Sequence, residues 1–304
     1  MSNIIQILVD STALGSLYAF VALSIGLVFG IMRLINFAQG DYITIGAYAL
    51  VVPTASVTPP LMLGALPVPL MVIGVIVVVV LVALATERLA FRPMRQANPA
   101  TLLVSSFAVS YFLQHLVMMV YSGRPKSIGI GAALSEPVEM FGVHVPGVQL
   151  LTMGVTLTLL LALVVLLKKT NIGIQMRAAA ENFQMARLLG VRANRVIASA
   201  FLISGVLSGT VSMLLVVQTG TLDLSMGMMP VIYAFFATVI GGMGSLPGAA
   251  LGGFFVGFIS VLLQTLLPEQ LRPFRDALVF SLVILTLLVR PQGFIVSSAA
   301  KERV

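Results

Sequence analysis

The sequence predicts an all-α, polytopic transmembrane bundle of about eight or nine helical segments, and three observations carry the prediction. The first is composition: 59% of the residues are hydrophobic and 9% charged, where an ordinary soluble domain carries roughly a quarter charged residues. A water-soluble core of this size has no place to hide so much apolar surface. The second is that continuous apolar runs recur along the 304 residues, each approaching or exceeding the roughly 20 residues that cover a bilayer's hydrocarbon thickness. The third is that Lys and Arg gather at the run ends and in the connections, where the positive-inside rule puts them. The same placement explains the net charge of +7 as membrane topology, without nucleic acid as a partner. The runs lack the apolar/polar alternation of barrel strands, which disfavours a β-barrel.

In chain order the candidate spans are residues 14–32, 37–57, 66–85, 102–121, 150–167, 196–217, 231–267 and 278–289. The residues before the first run lack the basic region of a secretory signal, so that run is expected to be a retained span. Together the spans make residues 1–304 one polytopic membrane domain, with no stretch left for a soluble one.

Orientation follows from the basic clusters. Residues 168–195 hold Lys168, Lys169, Arg177, Arg187, Arg192 and Arg195 against the single acid Glu181, which places this loop in the cytoplasm. Arg88, Arg92 and Arg95 do the same for the connection after the third run, and Arg290, Lys301 and Arg303 for the C-terminal tail. Residues 122–146 balance Arg124 and Lys126 against Glu136 and Glu139 and fit outside. Counting back leaves the N-terminus outside, Arg33 inside and the C-terminus cytoplasmic. An even number of crossings must separate the basic loop from the basic tail, so 231–267 must turn within itself, as two short spans or a re-entrant dip. Its middle, Gly241-Gly242-Met243-Gly244-Ser245-Leu246-Pro247-Gly248, breaks a helix by missing side chains and a missing proline donor. Such a break belongs in the bundle interior or at its cytoplasmic face.

Glycines at four-residue spacing (Gly244, Gly248 and Gly252; Gly253 and Gly257; Gly26 and Gly30; Gly205 and Gly209) allow close helix approach. They read either as packing within the chain or as a subunit interface or sliding gate.

No catalytic centre is visible. The absence of Cys removes thiolate metal sites and Cys nucleophiles, and the two His are too few for a His cluster. His115, beside Gln114, reads as a hydrogen-bonded packing residue rather than a proton relay. No Ser, His and acid arrangement suggests a hydrolase. There is no phosphate loop, so ATP hydrolysis, if it drives the protein, belongs to another polypeptide. The acids lie near span ends or in loops, with Asp41 and Asp223 as partial exceptions, which weakens an ion-coupled mechanism. No cofactor and no metal site is expected.

Two constellations are informative. In Arg33-Leu34-Ile35-Asn36-Phe37-Ala38-Gln39-Gly40-Asp41-Tyr42, the polar Asn36, Gln39 and Asp41 are costly against lipid unless paired or hydrated. The stretch reads as a cytoplasmic turn, with Asn36 capping the next helix, or as a gate in a translocation pathway. In the second, residues 173–191, Ala179, Phe183 and Ala186 share one face at i, i+4 and i+7, and Gly190 suits a left-handed C-terminal cap. A short amphipathic helix here has no soluble domain to cover it, so its apolar face rests on lipid or docks into a groove on a cytoplasmic protein.

These residues resemble the LivH-like branched-chain amino-acid permeases of ATP-binding-cassette importers. The resemblance rests on Asn36-Phe37-Ala38-Gln39-Gly40-Asp41, on Arg177-Ala178-Ala179-Ala180-Glu181-Asn182 through Gly190, on Gly241-Gly242-Met243-Gly244-Ser245 with Gly248, and on Arg290-Pro291-Gln292-Gly293-Phe294. The second stretch is similar to the coupling loop of importer permeases, although here the acid follows the alanines. The resemblance implies a bacterial inner-membrane importer with a second homologous permease, two cytoplasmic ATPase subunits and a periplasmic or lipid-tethered solute-binding protein delivering leucine, isoleucine or valine. It also implies a pathway or gate role for Asn36, Phe37, Gln39, Gly40, Asp41, Gly241, Gly242 and Gly244, and ATPase coupling through Arg177, Ala179, Glu181, Phe183, Ala186 and Gly190. A permease for urea or short amides, and an ion-coupled secondary transporter, are the alternatives.

Overall fold

A computed structural model describes residues 2–95, 97–131, 137–140, 143–290 and 293–295. Among them the chain forms α1 (Ser2–Met32), α2 (Gln39–Tyr48), α3 (Val68–Thr86), α4 (Pro99–Tyr121), α5 (Gly147–Lys169), α6 (Asn171–Glu181), α7 (Phe183–Leu188), α8 (Ala193–Thr219), α9 (Met228–Gly241), α10 (Leu246–Leu266) and α11 (Arg275–Val289). Six of these (α1, α3, α4, α5, α8 and α10) contain stretches long and apolar enough to cross a membrane. Nine helices build the bundle, as the apolar runs predict, and α6 and α7 occupy the basic loop. Glu136, Pro291, Gln292, Lys301, Glu302 and Arg303 lie outside the described residues.

Local chemistry sets the helix ends. Proline stands in the first turn of α3, α4 and α10, where its missing N–H costs no hydrogen bond. Gly220, at φ +63, ends α8 in the left-handed conformation that glycine tolerates.

The apolar run 37–57 is not one span. Its helix stops at Tyr48, and residues 49–67 continue as irregular chain with one 3-10 turn, Leu63–Ala65. Pro53, Pro59, Pro60 and Pro67 remove donors that a continuing helix needs. By contrast, 231–267 turns within itself as expected: α9 and α10 meet at residues 242–245, with Gly242 at φ +107 and Gly244 at φ +86. The Ser245 hydroxyl caps α10 by accepting from Gly248 N–H at 3.2 Å.

The glycine stripes pack within the chain. A Cβ at Gly253 or Gly257 would meet backbone of Ala19 or Gly15 on α1 at 2.2–2.3 Å. Cβ atoms at Gly248 and Gly252 would meet the carbonyls of Gly241 and Ala237 on α9 at 2.1 and 2.0 Å. Gly205 and Gly209 of α8 face Val80 and Ile76 of α3, and Gly26 faces Ala249. Small residues thus set α1 against α10 and α8 against α3, which are the most extensive helix pairs of the bundle. Dispersion between closely approaching backbones holds such pairs where lipid supplies no hydrophobic push.

The order long helix, irregular stretch, short helix, long helix, outer helix occurs twice, as α1–α4 and as α8–α11. The two series alternate direction in opposite senses, and their first helices each pack on the third helix of the other series. The result is an inverted internal repeat, a plan common among transporters.

At the basic end of the bundle, Arg95 pairs with buried Glu87 in the π-turn after α3 and donates to Asn194 at the start of α8. At the other end, buried Lys126 donates to the carbonyls of Thr54 and Ser56 at 2.6 and 2.8 Å. Its strand β1 (Lys126–Ser127) pairs with β4 (Thr221–Leu222), beside a hairpin of β2 (Pro137–Met140) and β3 (Val143–Pro146).

Candidate translocation site

The polar insertion at Asn36–Asp41 does not sit in a surface turn. Gln39 is fully buried. Its amide nitrogen donates to Ser24 of α1 at 2.5 Å and to Ser208 of α8, while its amide oxygen accepts from Ser204 at 2.9 Å. Ser24 and Ser204 also bond to each other at 2.9 Å. Ser24 stands eight residues before the end of α1 at Met32, about 12 Å along a helix axis at 1.5 Å per residue. The chain from Arg33, at φ +53, therefore turns back into the bundle before α2 begins.

Asn36 acts locally, but not as the helix cap. Its amide oxygen accepts from Ala38 N–H at 3.2 Å and its nitrogen donates to Tyr42 at 3.4 Å. Ala38 occupies the cap position, without a side-chain bond. The Tyr42 hydroxyl continues to Thr86 of α3 at 2.9 Å. Phe37 is half-buried and stacks on Phe107 of α4, centroids 4.2 Å apart, with Phe235 of α9 at 6.0 Å.

Gly40 meets the chain entering α9. A Cβ on Gly40 would lie 3.1 Å from the Gly227 carbonyl, and one on Gly227 would lie 2.0 Å from the Gly40 carbonyl. Two short helices thus begin beside each other inside the bundle. The first, α2, runs toward the Lys126 end and the second, α9, toward the basic end. Discontinuous helices at membrane depth occur where they line a cavity or are buried in protein. Asp41, in the first turn of α2, is 4% exposed, and its Oδ2 has no hydrogen-bond partner. The sequence marked Asp41 as a partial exception among acids near span ends, and it lies in the interior because the irregular stretch before it re-enters the bundle.

Gly241, Gly242 and Gly244 form a separate group at the basic end. Gly244 approaches Gly30, six residues beyond Ser24 on α1, or about 9 Å further along the axis. The Ile240 and Gly241 carbonyls accept from Phe294 and Ile295 of the C-terminal chain at 2.7 and 3.0 Å. Below the Asn36 stretch, a polar cavity of about 710 Å³ opens among Met32, Arg33, Arg95, Glu181, Asn182 and Gln184.

The basic loop departs from the expected single helix. Asn182 is extended, at φ −146 and ψ 101, and its side chain accepts from Met185 N–H at 3.0 Å. It starts α7 afresh, as a short polar side chain does when it competes with the helix for backbone donors. The face sought in the sequence is already covered: Met176, Ala179 and Ala186 are buried in the chain's own core, with Phe183 packed against them. Arg177, Glu181 and Gly190 are exposed. Gly190, at φ +89, closes α7, with Val191 N–H bonded to the Ala186 carbonyl at 3.0 Å, as a Schellman cap requires. The large apolar groups left outside are Ile172 and Ile174 on α6 and Met185, Leu188 and Leu189 on and after α7. His115 is exposed on α4, bonded to the Tyr111 carbonyl at 2.9 Å.

Sequence reasoning missed Ser24, Ser204, Ser208, Thr86 and Gly227. The pair Ser204 and Ser208 carried a usable signal, two hydroxyls about one turn apart on one face of a largely apolar span. Gly227 carried none beyond being a glycine among methionines.

The fold resembles PsaBC from Streptococcus pneumoniae, solved in complex with Fab, with a TM-score of 0.50 at 14% identity over 97% of this chain and 93% of that one. High-affinity branched-chain amino acid transport system permease protein BraD of Pseudomonas aeruginosa is 34% identical, over 96% of this chain and 95% of its own length. The corresponding permease protein LivH of Escherichia coli is 32% identical, over 96% and 95%. The family described as branched-chain amino acid transport system, permease component, matches residues 7–289, so a membrane bundle with two short helices meeting in its interior and no catalytic motif belongs to that family of transport permeases.

Proposed function

We propose that the chain is the permease subunit of an ATP-driven importer of branched-chain amino acids and contributes half of the translocation pathway. The observation that carries this reading is similarity over nearly the whole length to permeases named for that transport, BraD and LivH. The interior supports it: two helix starts, a buried amide–hydroxyl network and an unpaired carboxylate lie together where a span-to-span bundle would hold apolar side chains.

The basic end faces the cytoplasm of an inner membrane, by the distribution of Lys and Arg, with the N-terminus outside. There α6 and α7 couple the permease to two ATPase subunits. Arg177, Glu181 and the Gly190 turn lie on the outer surface of this loop, while Ala179, Phe183 and Ala186 transmit its movement into the core they pack against. A second related permease completes the pathway, and a solute-binding protein delivers substrate from the opposite side. The gate comprises Asn36, Phe37, Gln39, Gly40 and Asp41, and the Gly241, Gly242 and Gly244 turn links it to the coupling loop.

Affinity purification of the tagged chain from its native membrane tests the assembly. Recovery in fixed proportion with an ATPase and a second permease is expected. Leucine uptake by the purified chain alone, driven by a proton or sodium gradient, would contradict it.

A further inference from the structure

Asp41 presents a buried carboxylate oxygen without a hydrogen-bond partner, and no ion-pair partner reaches it among the described residues. Every other strongly buried charge described here is answered: Glu87 by Arg95, Lys126 by two carbonyls. A carboxylate away from water without a charged partner is costly, and residues of this kind inside membrane bundles mark ion or substrate pathways. The polar groups that face it from the neighbouring helix are Ser110 and Gln114 of α4. They contribute a hydroxyl and an amide.

An open apolar pocket of about 540 Å³ lies between α2, α3 and α4, beginning one turn beyond Asp41 on α2. Ile45 and Tyr48 line it from the face of α2 that carries Asp41, one and two turns on. Val109, Leu113 and Leu116 line it from α4 and Val82 from α3, while Asp41, Ser110 and Gln114 stand just outside this lining. A carboxylate beside a neutral hydroxyl and a neutral amide, near an open aliphatic pocket, matches a molecule with a compact cation at one end and a branched hydrocarbon at the other. The ammonium group, with three donors, suits a carboxylate, a hydroxyl and an amide carbonyl. A bare metal ion is poorly matched, since the described residues hold no cluster of three metal-ligating side chains.

We propose that Asp41, Ser110 and Gln114 receive the α-ammonium group of a zwitterionic amino acid during its passage, while the aliphatic side chain enters the adjoining cavity. The proposal rests on the importer reading and assigns substrate recognition to the permease at a defined site.

The test uses the complete importer, with both permeases, the ATPases and the binding protein, in proteoliposomes with enclosed ATP. Asp41→Asn keeps the size of the side chain and removes its charge. Leucine uptake is expected to fall at least tenfold, while the melting temperature of the solubilised complex stays level or rises, because an unanswered interior charge has gone. Asp41→Glu is expected to retain most uptake. Uptake by Asp41→Asn equal to wild type overturns the proposal and leaves the importer reading intact. Loss of uptake together with a lowered melting temperature assigns Asp41 a merely structural role and also overturns it, as does equal loss in Asp41→Glu. Failure of the wild-type complex to import leucine instead removes the importer reading itself.

Discussion

Gln39 shows how one side chain can hold a site together. Its amide uses both ends, on hydroxyls of α1 and α8, so its loss strands Ser208 and leaves Ser24 and Ser204 only each other in a dry interior. Each unsatisfied buried group costs about 1–3 kcal/mol. Gln39→Ala is therefore expected to lower the melting temperature of the solubilised permease complex and to reduce uptake. An unchanged melting temperature would show that the network contributes nothing. Close backbone contact makes a second prediction at this scale. Gly227→Ala places a Cβ 2.0 Å from the Gly40 carbonyl, and Gly40→Leu adds a branched side chain to the same seam. Both are expected to abolish uptake, measured in vesicles alongside assembly on a native gel. Of these residues, Asn36, Gln39 and Asp41 were legible in the sequence because polar groups between apolar runs are expensive. Their partners were not, because a serine inside a span satisfies itself on its own helix as readily as it bridges to another.

The basic loop, α6 and α7, illustrates how an element's pattern can be right and its partner wrong. The i, i+4, i+7 face exists, yet Ala179 and Ala186 pack into the bundle, so an Asp at Ala179 buries a charge in the permease's own core and is expected to impair folding and membrane yield. Leu188 and Leu189 are the exposed apolar pair at the end of α7, and the proposed coupling makes them its test. Replacing both with Asp is expected to leave expression and melting temperature near wild type, while ATP hydrolysis by the complex no longer drives leucine uptake. Normal coupled uptake by this double variant would remove α7 from the ATPase interface. The break at Asn182 was readable as a capping residue, but the apolar periodicity across it pointed to one continuous helix. Proline spacing should likewise have shortened the run 37–57, whose apolar content outweighed Pro53 in the reading of a span.

At the scale of the whole molecule, the turn between α9 and α10 followed from charge parity alone, since two basic segments on one side require an even number of crossings. The inverted repeat did not, because it lies in the order and pairing of helices, which apolar runs alone do not display. Topology is directly testable in a chain without native Cys. Met243→Cys, partly exposed beside the α9–α10 turn, is expected to react with membrane-impermeant maleimide only in inside-out vesicles, and Gln264→Cys, exposed near the end of α10, only in intact spheroplasts. Labelling of both from one side would contradict the arrangement of helices around the site. The most direct measurement of the central claim is radiolabelled leucine uptake by proteoliposomes holding the chain with its second permease and ATPases, supplied with binding protein outside and ATP enclosed. Accumulation that requires ATP and the binding protein, and persists when ion gradients are collapsed, is the expected result; accumulation independent of ATP and lost with the ion gradient would contradict it.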